Sequence, residues 1–181
     1  ALVIGSEVLS KVIDWKDRNT CVLFGDGAGA VILSKGDNMG IISTYLGSDG
    51  EGSNLLTLTS LNNTENYIKM NGREVYKFAI NIIPKCIENA LVGTQYKKED
   101  IDYFILHQAN ERIIDSVAKK MNIDPSKFYK NMDKYGNTSA ASIPIAISEL
   151  NNRNLLKRGT TILMVGFGGG LTWGSSLVIW E

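Results

Sequence analysis

Ile101-Asp102-Tyr103-Phe104-Ile105-Leu106-His107-Gln108-Ala109-Asn110 runs from apolar, sheet-forming residues straight into the only histidine of the chain. Ile101 to Leu106 is a short apolar run and predicts a buried strand. Asn110 to Met121 predicts a helix. His107 therefore stands at a strand end with a helix to follow, and any imidazole chemistry rests on it alone.

Outward from this unit the pattern alternates. Ser139 to Leu150 predicts a helix, Thr161 to Val165 a strand and Gly174 to Trp180 a last strand, the order of a layered α/β domain. Upstream, Glu74 to Leu91 predicts a long helix, because Val75, Phe78, Ala79, Ile82, Cys86 and Ala90 recur at helical spacing. Pro84 is expected to bend it, since proline removes a hydrogen bond and crowds the preceding turn. The first part of the chain reads as strands without helices: Leu2 to Ile4, Thr20 to Phe24, Ala30 to Ser34 and Ile41 to Leu46. Lys35-Gly36-Asp37-Asn38 reads as a turn, and Thr57 to Tyr67, with Asn62-Asn63, as a loop. The break near Asp49 to Asn63 divides the chain into residues 1–50 and residues 51–181.

With 181 residues, 44% of them hydrophobic, and 18 glycines, the chain fits a globular α/β protein better than a disordered or fibrous one. A chain of this length buries roughly 70% of its unfolded surface. Lys plus Arg equals Asp plus Glu at 19 each, so no net basic field would hold a nucleic acid. No apolar run reaches membrane-spanning length, and no membrane partner is expected. Cys21 and Cys86 lie 65 positions apart; with one histidine they cannot complete a four-ligand zinc site, so no metal is expected. Nor do they make a disulfide framework, and a reducing cytoplasm is the expected location. The chain opens at Ala1 on strand-like Leu2-Val3-Ile4-Gly5, without an initiator Met, basic leader or cleavage site. It is expected to be a piece of something longer.

Gly25-Asp26-Gly27-Ala28-Gly29-Ala30 matches the loose dinucleotide pattern in which alanine replaces the last glycine. The context fails, because such a site needs a helix whose first amides meet the pyrophosphate, whereas Ala30-Val31-Ile32-Leu33 reads as another strand. A tight connection between two strands is expected. Phe167-Gly168-Gly169-Gly170-Leu171-Thr172-Trp173-Gly174 joins two strands through glycines that leave backbone amides uncovered. Such a bend can set an N–H against a developing oxyanion, or can let another backbone approach closely.

A histidine at a strand end is either a hydrogen-bonded structural residue or a catalyst. Asn137, in Gly136-Asn137-Thr138-Ser139-Ala140-Ala141-Ser142-Ile143-Pro144, also precedes a predicted helix after a loop. Both side chains then lie near strand carboxyl ends and helix amino ends, where α/β sheets gather their ligands. Asn137-Thr138-Ser139 also fits a glycan acceptor, but nothing in the chain indicates secretion.

Phe24-Gly25-Asp26-Gly27-Ala28-Gly29-Ala30, His107-Gln108-Ala109-Asn110, the segment Gly136 to Pro144 and the segment Phe167 to Gly174 together resemble β-ketoacyl-acyl carrier protein synthase III. The resemblance runs from about Leu2 to Trp180. It implies a thiolase-like layered α/β fold, with residues 1–50 closing the N-terminal half and residues 51–181 forming the C-terminal half. It also implies an acyltransferase that moves an acyl group, as from acetyl-coenzyme A, onto a cysteine. That group is then joined to malonyl-acyl carrier protein with loss of carbon dioxide, initiating fatty acid synthesis. By the motif match, His107 and Asn137 donate hydrogen bonds to the thioester oxygen of the enolate, and the N–H near Gly169 holds the oxyanion of the acyl-cysteine. The single histidine separates the chain from sister condensing enzymes that use two.

The resemblance further matches Arg18, Gly72, Arg73, Tyr76 and Ala109 to coenzyme A contacts, with Arg73 standing where some relatives have asparagine. Gln108, Asn110 and Arg112 match carrier-protein docking. Lys119, seven residues from Arg112, shares its helical face, which suits an acidic carrier helix or an ordinary solvated surface equally. A loop arginine such as Arg18 has the same two readings. Coenzyme A thioester is implied as substrate, with no resident cofactor, and a homodimer when full length.

The family's reactive cysteine stands at the start of a buried helix, where the dipole lowers its pKa. Cys21 is expected inside a strand and Cys86 on the apolar stripe of its helix, both packed and inert. The nucleophile is thus expected before Ala1, and this chain alone is expected to be inactive. Two rival readings are a non-catalytic half that binds coenzyme A or the carrier protein, and a fragment of a chalcone-synthase-type polyketide synthase. Relatives of the latter usually have Gly-Pro-Gly where this chain has Gly168-Gly169-Gly170.

Overall fold

The computed structural model describes residues 1–36, 40–58 and 66–181. Asp37-Asn38 and Asn62-Asn63, expected in a turn and a loop, lie outside the described residues. In chain order the elements are β1 (Leu2–Glu7), β2 (Gly27–Ile32), β3 (Gly40–Ser48), β4 (Leu56–Leu58), β5 (Ile68–Met70), α1 (Gly72–Leu91), β6 (Tyr103–Leu106), α2 (Glu111–Met121), α3 (Met132–Tyr135), α4 (Ser142–Asn152), β7 (Thr161–Gly168) and β8 (Thr172–Ile179).

The predicted strand at Ile101 to Leu106 forms as β6 and explains the layering. It pairs in parallel with β7, Phe104 opposite Leu163 and Leu106 opposite Val165. The sheet continues through β8 to β3, both joined antiparallel. Side chains on a strand alternate between faces. Phe104 and Leu106 pack with Ile83 and Ile87 of α1 and Val117 of α2. Ile105, between them, packs with Ala146, Ile147 and Leu150 of α4. Both faces are covered, which is why this strand is apolar at every position rather than at every second one.

The long helix forms two residues earlier than expected, because the Asn71 side chain accepts the Glu74 N–H and caps it. Pro84 sits inside α1 without ending it. It has no N–H for the Ile80 carbonyl, and Lys120 Nζ of α2 donates to that oxygen at 3.1 Å instead. Serines from the sheet tie α1 down: Ser175 Oγ donates to the Cys86 carbonyl at 2.8 Å, and Ser43 Oγ donates to that of Ala90.

Four expectations are corrected. Thr20 to Leu23 is a series of turns, not a strand, and Phe24 makes only an isolated bridge with Asn137. The Asp17 carboxylate accepts the Asn19 N–H at 3.0 Å and the Thr20 hydroxyl at 3.1 Å, and this local bonding outcompetes sheet pairing. Cys21 therefore lies in a turn, half-buried. Gly27 to Ala30 is part of β2 rather than a connection. The β1–β2 ribbon lies directly on the segment from Ser139 into α4: a Cβ at Gly29 would sit 2.8 Å from Pro144 Cβ, and one at Gly5 would collide with the Ala140 carbonyl oxygen. The helix expected from Ser139 begins as a 3-10 turn over Ser139–Ala141, and α4 starts only at Ser142. Last, the loop expected over Thr57 to Tyr67 begins inside a strand, since β4 pairs with β5. β3 pairs along its length with β8, so Gly40–Ser48 shares a sheet with β6 and β7.

Leu2, Ile4 and Ile32 leave an apolar outer face on the ribbon. Among the described residues no helix is long and apolar enough to cross a membrane.

The close approach of ribbon and helix predicts that Gly29→Val lowers unfolding free energy by about 1–3 kcal/mol, as overpacking does. Ala28→Val, on the exposed side of the same strand, should stay within about 0.5 kcal/mol of the parent. Urea denaturation compares the two; equal stabilities would contradict the packing.

Candidate functional site

His107 is placed by the sheet. Its N–H donates to the Val165 carbonyl at 2.8 Å, extending the β6–β7 ladder one residue beyond the strand. Its Nδ1 lies 2.7 Å from Ser142 Oγ, and the Phe167 ring meets it edge-on at 5.2 Å between centroids. Among the described residues Nε2 has no protein partner, and the half-buried ring lines a cleft. Burial pushes its pKa down to about 4. At neutral pH the ring is uncharged, with one nitrogen a donor and the other an acceptor.

Asn137 is fixed from the opposite direction. Its N–H donates to the Leu23 carbonyl and its own carbonyl accepts the Gly25 N–H, both at 2.8 Å. The turn before it needs Gly136, whose φ of 66° favours a residue without Cβ. Asn137 Oδ1 accepts the Ser139 N–H at 2.9 Å. With the acceptor occupied, the side-chain NH2 is the end left for the cleft.

The cleft encloses about 810 Å3, within the usual size of a small-molecule site. His107, Asn137, Phe24, Phe167, Gly168 and Gly169 line it, and Gly72, Arg73, Tyr76, Ala109 and Asn110 also contribute. Among the described residues the Gly169 N–H has no hydrogen-bond partner. A second hollow of about 460 Å3 shares His107, Ser139, Phe167 and Gly168 with the first and is otherwise lined by residues such as Leu46, Ile143 and Trp173.

The remaining sequence candidates divide. Arg18 is exposed between Asp17 and Asn19, which line the cleft although Arg18 does not. Arg112 and Lys119 are exposed on α2, outside the lining. Asn110 lines the cleft but also caps α2, its Oδ1 accepting the Arg112 N–H at 2.9 Å. The Tyr76 hydroxyl is bonded to that of Ser116 at 2.8 Å. Gln108 is 1% exposed and its amide is consumed internally: Nε2 donates to the carbonyls of Leu106 and Tyr129, and Oε1 accepts the Asn131 N–H.

Neither cysteine lines the cleft. Cys86 is fully buried, and burial pushes its thiol up to about 11. Cys21 packs against the cluster of Leu9, Ile13 and Ile68. Sequence reasoning gave no role to Ser142 or Phe167, whose side chains touch the histidine ring. Ser142 lies 35 residues from His107, and only the folded sheet and α4 bring them together.

Residues 91–180 match the model of the family 3-oxoacyl-[acyl-carrier-protein (ACP)] synthase III C terminal, and residues 1–50 match that of 3-oxoacyl-[acyl-carrier-protein (ACP)] synthase III. β-Ketoacyl-[acyl-carrier-protein] synthase III of Clostridium tetani is 50% identical over 197 residues, covering 99% of this chain and 59% of that protein. Its counterpart in Clostridium novyi is 52% identical over 191 residues, covering 100% and 59%. The crystal structure of the Aquifex aeolicus 3-oxoacyl-[acyl-carrier-protein] synthase III superposes with a TM-score of 0.93 at 46% identity, covering 99% of this chain and 57% of that one. The Thermus thermophilus synthase III gives 0.94 at 40%, covering 99% and 59%. The chain thus spans 59% of the length of these curated relatives.

His107 binds its proton only near pH 4 in the fold, against 6.5 for an ordinary histidine. Between those values the unfolded chain holds more protons, so stability falls as pH drops from about 6.5 to about 4 and is fully retained above that window. His107→Gln should flatten that part of the stability curve. Parallel curves for variant and parent in denaturant titrations across the window would contradict a neutral, desolvated ring.

Proposed function

Because this chain belongs to the 3-oxoacyl-[acyl-carrier-protein] synthase III family and has its thiolase-like layered α/β fold, we propose that it supplies the enolate-stabilising wall of a decarboxylative condensation. The reaction joins an acyl-coenzyme A primer to malonyl-acyl carrier protein. The observation that carries this reading is that His107 and Asn137 line one cleft with one end of each side chain already engaged, Nδ1 by Ser142 and Oδ1 by Ser139. What remains toward the cleft is His107 Nε2 and the Asn137 amide hydrogens.

Loss of carbon dioxide from the malonyl thioester leaves its bonding electron pair on the α-carbon, delocalised onto the thioester oxygen. Two uncharged donors at that oxygen stabilise the enolate as charge develops, in a site drier than bulk water. The enolate carbon then attacks the carbonyl of a cysteine-bound acyl group, and the resulting oxyanion meets the free Gly169 N–H. Collapse of that adduct expels the cysteine thiolate. Neither Cys21 nor Cys86 is placed to be this nucleophile, so the activity belongs to an assembly of this chain with a cysteine-bearing segment, and the chain alone is inactive.

Gly72, Arg73, Tyr76 and Ala109 form the wall along which the coenzyme A arm lies, with Arg18 available to its nucleotide end. Exposed Arg112 and Lys119 on α2, with Gln108 and Asn110 in the segment just before the helix, give an acidic carrier protein an electrostatic foothold. We place the division between the two halves at residue 50, and expect the full-length protein to be a cytoplasmic homodimer.

In a protein that joins this chain to its nucleophile-bearing half, His107→Ala and Asn137→Ala should each slow condensation roughly a hundred- to thousandfold. Acylation of the cysteine by acetyl-coenzyme A, read by intact mass, should survive in both. Condensation at the parent rate would leave the chain as a binding half only.

A further inference from the structure

We propose that Ser142 is a positioning residue that holds His107 as the Nε2–H tautomer, through a one-way relay from the Gln108 N–H to Ser142 Oγ and from the Ser142 hydroxyl to His107 Nδ1. The assignment deepens the reading of His107 as a donor in the proposed condensation, yet the tautomer is a property of the folded chain whether or not that reading holds.

The direction of the relay follows from what each group can do. Gln108 N lies 3.3 Å from Ser142 Oγ, and a backbone amide can only donate. Ser142 Oγ therefore accepts there, keeping one hydrogen and one further lone pair. Its other contact is His107 Nδ1 at 2.7 Å, and among the described residues it has no third partner. Were Nδ1 protonated, Ser142 would accept twice and its own hydrogen would point at nothing, inside a side chain only 2% exposed. A buried donor without a partner biases such an equilibrium roughly ten- to hundredfold. The hydroxyl thus donates to Nδ1, and the ring's proton sits on Nε2, toward the cleft.

Each member of the relay is tied to its surroundings. Gln108 is tied to the carbonyls of Leu106 at 2.7 Å and Tyr129 at 3.1 Å and to the Asn131 N–H at 3.1 Å. Ser142 is the first residue of α4, whose next turns are buried against β6. The Phe167 edge restricts the ring from another side. Donation to Nδ1 also opposes a second proton on the ring, in the same direction as its burial.

His107 is the only histidine, so the chain labelled with 15N-histidine gives a single imidazole spin system in long-range 1H–15N spectra. The parent should show a protonated Nε2 and an unprotonated, acceptor-type Nδ1 from pH 6 to 8. Ser142→Ala should bring the two nitrogens toward exchange-averaged shifts and raise the protonation midpoint by about half a unit to one unit, the worth of one net hydrogen bond. Ser142→Thr, which keeps the hydroxyl, should restore the parental pattern. A proton on Nδ1 in the parent overturns the proposal even if S142A fails to fold. So does a folded S142A whose imidazole spectrum and midpoint equal the parent's. Neither result depends on condensation activity, so failure here is distinct from failure of the proposed reaction.

Discussion

One buried amide fixes the histidine side of the cleft. Gln108 follows His107 directly, and its side chain ties the end of β6 to the backbone at Tyr129 and Asn131, while its own N–H reaches Ser142 at the start of α4. Every polar atom of that side chain has a partner, so the burial is tolerable; removing any one partner would strand a buried group at a cost of about 1–3 kcal/mol. These bonds restrain Gln108 and, through the chain, the residue before it. The parallel ladder adds the second restraint, since His107 is bonded to Val165 as though the strand continued. A side chain at the mouth of a sheet is thereby held with the rigidity of its interior.

The second donor is held by different means. Asn137 lies on a turn, but its N–H and carbonyl both pair with the segment Leu23 to Gly25, which in turn leads into the β1–β2 ribbon. That ribbon rests on the segment from Ser139 into α4 because Gly5 and Gly29 carry no side chain. The two donors therefore depend on opposite parts of the chain that meet over α4. The cleft between them is partly apolar, with Phe24 and Phe167 in its wall. Desolvation there keeps the imidazole neutral, and the same exclusion of water makes an uncharged hydrogen bond worth more to a developing oxyanion than it would be in solution.

The unit from Ile101 to Met121 was legible in the sequence because a strand covered on both faces has an uninterrupted apolar run and an amphipathic helix follows it. The long helix was legible for its periodicity, although its start at Gly72 depended on Asn71 as a cap. His107 and Asn137 could be singled out by type and motif. What could not be read was long-range or polar. The Asp17 carboxylate organises Arg18 to Thr20 into turns against their sheet-forming neighbours. Gly27 and Gly29 looked like a loop and are strand, since the reason for glycine there is the Pro144 ring and its neighbours more than a hundred residues away. The burial of the Gln108 amide leaves no local signal for the same reason: its partners at 129 and 131 come from a distant crossing. The contact between Ser142 and His107 leaves no local pattern at all.

The most direct test is a crystal structure of this chain with a non-hydrolysable malonyl-thioester analogue. The oxygen standing in for the thioester carbonyl should lie within about 3.2 Å of both His107 Nε2 and Asn137 Nδ2, the reach of a good hydrogen bond. An analogue bound in the cleft with that oxygen turned away from both donors would contradict the account.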